Sequence, residues 1–108
     1  MNLNEYQTRA LKTAIYPTET ALTYTVLGLA SEAGEVAGKL KKLIRDGDGE
    51  LTPHAVGELA AEAGDCLWYI AAVADALGLT LDQIAEYNLA KLGDRQARGK
   101  LGGSGDQR

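Results

Sequence analysis

The sequence predicts an all-α protein, an antiparallel helical bundle of about four helices. Three observations carry this. Apolar residues recur at steps of three and four along most of the chain. The composition is led by Ala and Leu, with no Phe and only two Pro, which favours helices packed closely through small side chains. Turn and capping residues stand between the periodic segments. At 108 residues the chain makes one compact domain with little room for a second.

The first helix is expected from Leu3 to about Ala14, where Leu3, Tyr6, Ala10, Leu11 and Ala14 share one face and Pro17 forces an end. The second runs from about Thr20 to Arg45. Its seam is Leu22, Val26, Leu29, Ala33, Val36, Leu40 and Leu43, spaced alternately by four and three. Asp46-Gly47-Asp48-Gly49 is a turn, and Thr52-Pro53 reads as an N-cap followed by proline at the first helical position. The third helix then reaches Leu77, stopped by Gly78, with Val56, Ala60, Ala63, Leu67, Ile70, Ala74 and Leu77 as its seam. Thr80 caps a fourth, shorter helix to about Leu92. Residues 1–98 are expected to form the helical domain and the glycine-rich residues 99–108 a flexible tail. The two long helices must fold as a hairpin, since each carries a seam it cannot leave in water. So small a core leaves apolar surface for a homo-oligomer interface, a dimer or larger.

Charge and rare residues remove several functions. Fifteen acidic residues against 11 basic give a net charge of -4, which argues against a duplex-DNA binder held by phosphate contacts. A single cysteine, Cys66, excludes an internal disulfide framework, and a single histidine, His54, excludes most zinc sites and His-based triads. No apolar run approaches the roughly 18 residues of a membrane span, since Cys66 to Leu79 is interrupted by Asp75. The first residues lack the basic and apolar regions of a signal peptide, so the expected location is the cytoplasm, with no membrane partner. The acidic turn fails as a calcium loop, because Leu51 stands where that loop requires glycine. Cys66 reads as a small packed side chain, His54 as solvent-exposed, and Lys39, Lys41, Lys42 and Arg45 as complements to the negative end of the second helix.

The main clue is an echo. Leu29-Ala30-Ser31-Glu32-Ala33-Gly34-Glu35 returns 30 residues later as Leu59-Ala60-Ala61-Glu62-Ala63-Gly64-Asp65. Within each copy two acids lie three apart and project from neighbouring turns, flanking the seam. Glu32 and Asp65, like Glu35 and Glu62, are equidistant from the turn, so an antiparallel hairpin sets each pair at one level. Glu58, one turn before Glu62, is placed to join them. Carboxylates so gathered cannot all stay ionised without a cation, and an all-oxygen ligand set suits magnesium, with manganese as a substitute and calcium less favoured. Gly28 and Gly38, near the same helical face, leave space beside the acids for a ligand.

The pattern Glu32-x-x-Glu35, 26 intervening residues, then Glu62-x-x-Asp65 resembles the MazG-like all-α nucleoside triphosphate pyrophosphohydrolases. Residues 27–36, Gly64-Asp65-Cys66-Leu67-Trp68-Tyr69 and Asn88-Leu89-Ala90-Lys91-Leu92 extend the likeness over most of the chain. The resemblance implies a helical dimer or tetramer and magnesium-dependent hydrolysis of a nucleoside triphosphate to the monophosphate and pyrophosphate. It implies Glu32, Glu35, Glu62 and Asp65 as metal ligands, Glu35 or Glu62 as the group handling the attacking water, and Lys39, Asn88, Lys91 and Arg95 as triphosphate contacts. Some pocket residues would come from a partner subunit, since this chain is short for the family. Tyr16, Tyr24, Trp68 and Tyr69 read as core or interface, and no base pocket is assigned. A phosphoribosyl-ATP pyrophosphohydrolase shares a similar acidic pattern, and a non-catalytic helical module binding nucleotide or metal is the rival from another class. A carboxylate-bridged di-iron protein is disfavoured because both Glu-x-x-His arms are missing.

Overall fold

A computed structural model describes residues 1–108 as four α-helices without strands: α1 (Leu3–Leu11), α2 (Ala21–Gly47), α3 (Pro53–Ala76) and α4 (Leu81–Ala97). A single 3₁₀ turn, Thr18–Thr20, leads into α2. The antiparallel hairpin of α2 and α3 dominates the fold, and α1 and α4 pack against its open end. At the closed end, Asp48 adopts the left-handed conformation (φ 59°) and Gly49 follows it (φ 75°), so the Gly49 N–H reaches back to the Leu43 carbonyl at 3.0 Å and ends α2. The α2 helix therefore runs two residues beyond the expected Arg45. The Thr52 hydroxyl accepts the Ala55 N–H at 3.1 Å, and Pro53 opens α3 as expected.

Two other helix ends differ from expectation. The first helix stops at Leu11, short of Ala14, because the Ala10 carbonyl takes the Thr13 N–H and hydroxyl together with the Trp68 indole N–H, which draws the chain out of the helix. The last helix continues five residues past Leu92. Gly93 is an ordinary helical residue, and the stop is Gly99 (φ 67°), after which the Lys100 N–H bonds the Arg95 carbonyl at 2.7 Å. The glycine-rich end lies back along α4, where the Arg108 guanidinium donates to the carbonyls of Leu101, Gly102 and Gly105.

Gln7 locks the small helices to the hairpin. Its side-chain amide donates to the carbonyls of Ala71 and Leu79, and its oxygen accepts the Leu81 N–H at 3.0 Å, so one buried side chain ties α1 to the α3–α4 corner. Around it sit Ala71, Ala74 and Leu81, flanked by Tyr6 and Ile84. The Trp68 indole N–H, bonded to Thr13 Oγ1 at 2.9 Å, pins the end of α1 to α3.

The hairpin uses only part of the seam that periodicity selects: Leu29, Val36 and Leu43 of the expected α2 stripe face α3, whereas the expected α3 stripe does not face α2. On α2 the side facing α3 carries Thr25, Leu29, Glu32, Val36, Lys39 and Leu43; on α3 it carries Ala55, Leu59, Glu62, Cys66 and Tyr69. Residues of the expected seam, Leu22, Val26, Leu40, Val56, Leu67, Ile70 and Leu77, remain 37–52% exposed. Both long helices are apolar on more than one side, so a single periodic stripe did not identify the one that meets its neighbour. Glu32 and Glu62 thus lie within the inter-helical line rather than beside it. The accessible surface is 7539 Å², against about 5,800 Å² for a compact monomer of this mass. The radius of gyration is 16.7 Å, against about 13 Å.

Candidate functional site

The echo read from the sequence is also an echo in burial. Thr25 and Ala55 are both buried, and from there the sequence of half-buried and exposed positions is identical through residues 40 and 70. Each long helix thus presents its acid from the equivalent place, and the hairpin sets the two copies face to face. Glu32, Glu62 and Asp65 converge, with one carboxylate oxygen of each lying within 4.8 Å of the others. Three anionic groups from two helices at this separation repel one another. The Glu32 carboxyl responds: partial burial, then the charges of Asp65, Glu62 and Glu35, push it above its usual value of 4.5.

Glu35 and Glu58 stand apart from this triad. Glu35 is exposed one turn along α2, close enough for its charge to act on Glu32 and Lys39 but outside the group whose oxygens meet. The expected ring of four is therefore three plus a neighbour. Glu58 turns to cations instead: Lys39 Nζ lies 3.1 Å from one oxygen and His54 Nε2 lies 2.5 Å from the other. Lys39 holds the Glu58 carboxyl below its ordinary value, and Glu58 in return raises the Lys39 ammonium. His54, which the sequence left as a plain exposed residue, belongs to this network, and its i,i+4 spacing from Glu58 was the signal for it. These side chains border a cavity of about 270 Å³ that also touches Lys42, Asp46 and Thr52.

Asn88, Lys91 and Arg95 are not brought to the triad within one chain. They lie on α4, which leaves α3 at 96° and has no contact with α2. Arg95 is buried and donates to both the carbonyl and the carboxylate of Asp106, at 2.9 and 3.3 Å, while Lys91 approaches the same carboxylate at 3.4 Å. These two cations hold the Asp106 carboxyl below its ordinary value. Asp106 was not singled out by the sequence, because nothing local relates it to a helix 11 residues earlier.

On the other flank of the triad four aromatic side chains form a closed cluster, with Tyr16 and Trp68 meeting edge-on at 6.2 Å. Tyr16 stacks on Tyr24 with ring centroids 5.2 Å apart, and Trp68 meets Tyr69 edge-on at 5.0 Å. Tyr24 and Tyr69 are 6.5 Å apart. Tyr69 lies directly on Gly28, where any Cβ would overlap its ring. Burial, the Tyr24 side chain, and the charges of Glu32 and Asp65 raise the Tyr69 phenol.

The donor set suits a hard divalent cation: three carboxylates, no sulfur or imidazole among them, and one carboxyl whose proton affinity is raised by the charges around it.

Comparison with known proteins places the chain in a family. The model of the MazG nucleotide pyrophosphohydrolase domain matches residues 20–99, which include the whole hairpin and α4. A protein of Mycobacterium phage L5, named only Gene 37 protein, is 43% identical over 114 residues, with both chains covered completely. No solved structure matches.

Proposed function

Because this chain belongs to the MazG nucleotide pyrophosphohydrolase family, we propose that it is a magnesium-dependent enzyme cleaving the bond between the α- and β-phosphates of a nucleoside triphosphate, ribo or deoxy. The observation that carries this reading is the meeting of Glu32, Glu62 and Asp65 from two helices around one point. Magnesium, or manganese in its place, would be held by these three with Glu35 as the adjoining ligand. When bound it neutralises phosphate oxygens and makes a water molecule more acidic.

The protein's own part is to place and orient. Glu35 is exposed toward solvent beside the triad and is the residue suited to hold the attacking water and take its proton; Glu62 is the other candidate. Water adds to the α-phosphorus, the bond to the bridging oxygen breaks, and the products are a nucleoside monophosphate and pyrophosphate. Lys39 stands one helical turn past Glu35 and offers a cation to the departing phosphates, on exchanging its partner Glu58 for them.

Asn88 and Lys91 serve as phosphate contacts in this reading only if a neighbouring subunit supplies them, and Arg95, buried against Asp106, only if it also exchanges that partner for phosphate. The surface excess and the bare apolar stripe support a homo-dimer or homo-tetramer in which α4 of one copy reaches the hairpin of another. No single helix is long and apolar enough to cross a membrane, in keeping with a cytoplasmic enzyme.

The test is product analysis. A panel of nucleoside triphosphates is incubated with magnesium, with magnesium plus chelator, and with the Glu35→Gln and Asp65→Asn variants. Pyrophosphate released only by the parent with free magnesium is the expected result. Orthophosphate as the first product would reject the proposed bond, and chelator-insensitive release would reject the metal.

A further inference from the structure

The glycine-rich residues 99–108 make contacts that the proposed reaction does not use. The chain turns back at Gly99 (φ 67°) and again at Gly103 and Gly105 (φ 90° and 84°), and the Arg108 guanidinium gathers the carbonyls of Leu101, Gly102 and Gly105 into a small clasp against α4. The clasp sets Asp106 over two cations of that helix. Arg95 Nη2 donates to the Asp106 carbonyl at 2.9 Å and to its carboxylate at 3.3 Å, and Lys91 Nζ stands 3.4 Å from the same carboxylate oxygen. Arg95 is thereby left only 4% exposed. Asn88, one turn before Lys91, stays exposed.

We propose that residues 99–108 are an autoinhibitory clasp: Asp106 occupies Lys91 and Arg95 in place of phosphate, and a polyphosphate opens the clasp by taking both cations from it. The proposal rests on the pyrophosphohydrolase reading, in which α4 meets the phosphates of a substrate held by a neighbouring subunit, and adds that two of these contacts are masked until a substrate displaces the mask.

Three features make this a displaceable contact rather than a fixed one. One carboxylate oxygen serves both cations, at 3.3 and 3.4 Å, where charge-assisted N–H···O bonds usually close to about 2.7–2.9 Å. A phosphate carries more charge and several oxygens, matches the guanidinium fork, and can give each cation its own short bond. The clasp also buries no apolar anchor: residues 99–107 are all exposed, Leu101 among them, so opening forfeits polar contacts that water replaces and returns freedom to four glycines. Without an anion the clasp is favoured closed, because Lys91 and Arg95 are four residues apart on one helix and repel when neither has a counter-charge. Presence of a polyanion therefore sets the balance between the two states.

Inorganic tripolyphosphate is the probe, titrated by calorimetry into the magnesium-loaded parent, Asp106→Asn and Gly103→Ala. Asp106→Asn removes the competing charge. Gly103→Ala keeps every charge but strains the backbone at φ 90° and sets a Cβ 3.4 Å from Arg108 Cδ, so it loosens the clasp alone. Both variants should bind tripolyphosphate about three- to ten-fold more tightly than the parent, the factor being the reciprocal of the fraction of chains whose clasp is open. In parallel, NMR relaxation follows the amides of residues 100–108. These should be ordered in the parent, become mobile as tripolyphosphate saturates it, and be mobile from the start in Gly103→Ala. Unchanged affinity in both variants, or a clasp that stays ordered under saturating tripolyphosphate, would overturn the proposal. A gain in Asp106→Asn alone would overturn it too, since lost negative charge by itself accounts for that result. Pyrophosphate release from natural triphosphates tells the two readings apart. Release with a KM lowered in both variants and an unchanged kcat supports both; no release from any of the three proteins, with tripolyphosphate still bound more tightly by the variants, would remove the catalytic reading and leave the clasp as a gate on an anion site.

Discussion

The exposed apolar stripe makes a quantitative prediction about assembly. The chain exposes 7539 Å², and a compact monomer of 11.4 kDa would expose about 5,800 Å². The surplus, about 1,700 Å² per chain, is roughly twice the 800 Å² each partner gives to an interface of standard size and falls in the range of permanent assemblies. Val26 on α2 and Val56 on α3 occupy corresponding places, 30 residues apart, and both point away from the hairpin's own contact. Replacing either with glutamate leaves the single chain nearly untouched, because the position is already half exposed and glutamate is a good helix former. In a two-fold dimer the change is made twice. Each buried, unpartnered carboxylate costs at least about 1.5–3 kcal/mol, so the dimer weakens by about 3–6 kcal/mol, or a hundred-fold and more in dissociation constant. Sedimentation equilibrium across a wide concentration range reads this directly. The parent should run at a multiple of 11.4 kDa, and Val26→Glu or Val56→Glu should dissociate at concentrations where the parent does not. A parent that stays at 11.4 kDa at high concentration, with full helical signal and a cooperative melt, would refute the reasoning.

Three further outcomes follow from particular contacts. Magnesium should stabilise the parent by mass action, by about 2.7 kcal/mol at a hundred times its dissociation constant, and raise its melting temperature accordingly, and should do so much less for Glu62→Gln and Asp65→Asn; equal shifts in all three proteins would dissolve the metal centre. Without divalent ions, Glu32 holds its proton above 4.5, so the folded chain binds more protons than the unfolded one just above that pH, and the Glu32 contribution to stability falls as pH rises through the window. The parent should therefore lose stability relative to Glu32→Gln as pH climbs from 4.5, and saturating magnesium should reverse the trend; parallel pH curves in denaturant titrations would contradict it. Glu58 acts in the opposite sense, its stabilisation through Lys39 being present above 4.5 and lost as pH falls through its lowered value. Gln7→Ala removes three hydrogen bonds and leaves the Leu81 N–H without its partner, which should cost about 2–4 kcal/mol in urea unfolding and loosen α1 and α4 together; hydrogen exchange that speeds up in α1 alone would show that the side chain does not join them.

What the sequence determined by itself was local or relational along one chain. The helical class, the Thr52-Pro53 start of α3, the stop at Gly78 and the hairpin follow from caps, glycine and periodicity, which act over a few residues. The echo of Glu32 and Glu35 in Glu62 and Asp65 gave the acids and their mirror placement, because an antiparallel pair of rods converts distance from the turn into height. Tertiary structure decided which side of each rod faces the other. That choice brought Glu32, Glu62 and Asp65 together, left Glu35 one turn outside, turned Glu58 to Lys39 and His54, and exposed Val26 and Val56. Periodicity could not make the choice because α2 and α3 have more than one apolar side, and a rotation of about 100°, one residue, exchanges them. The seating of Tyr69 on Gly28 and the approach of Asp106 to Lys91 and Arg95 were likewise beyond the sequence, since each depends on where one element crosses another.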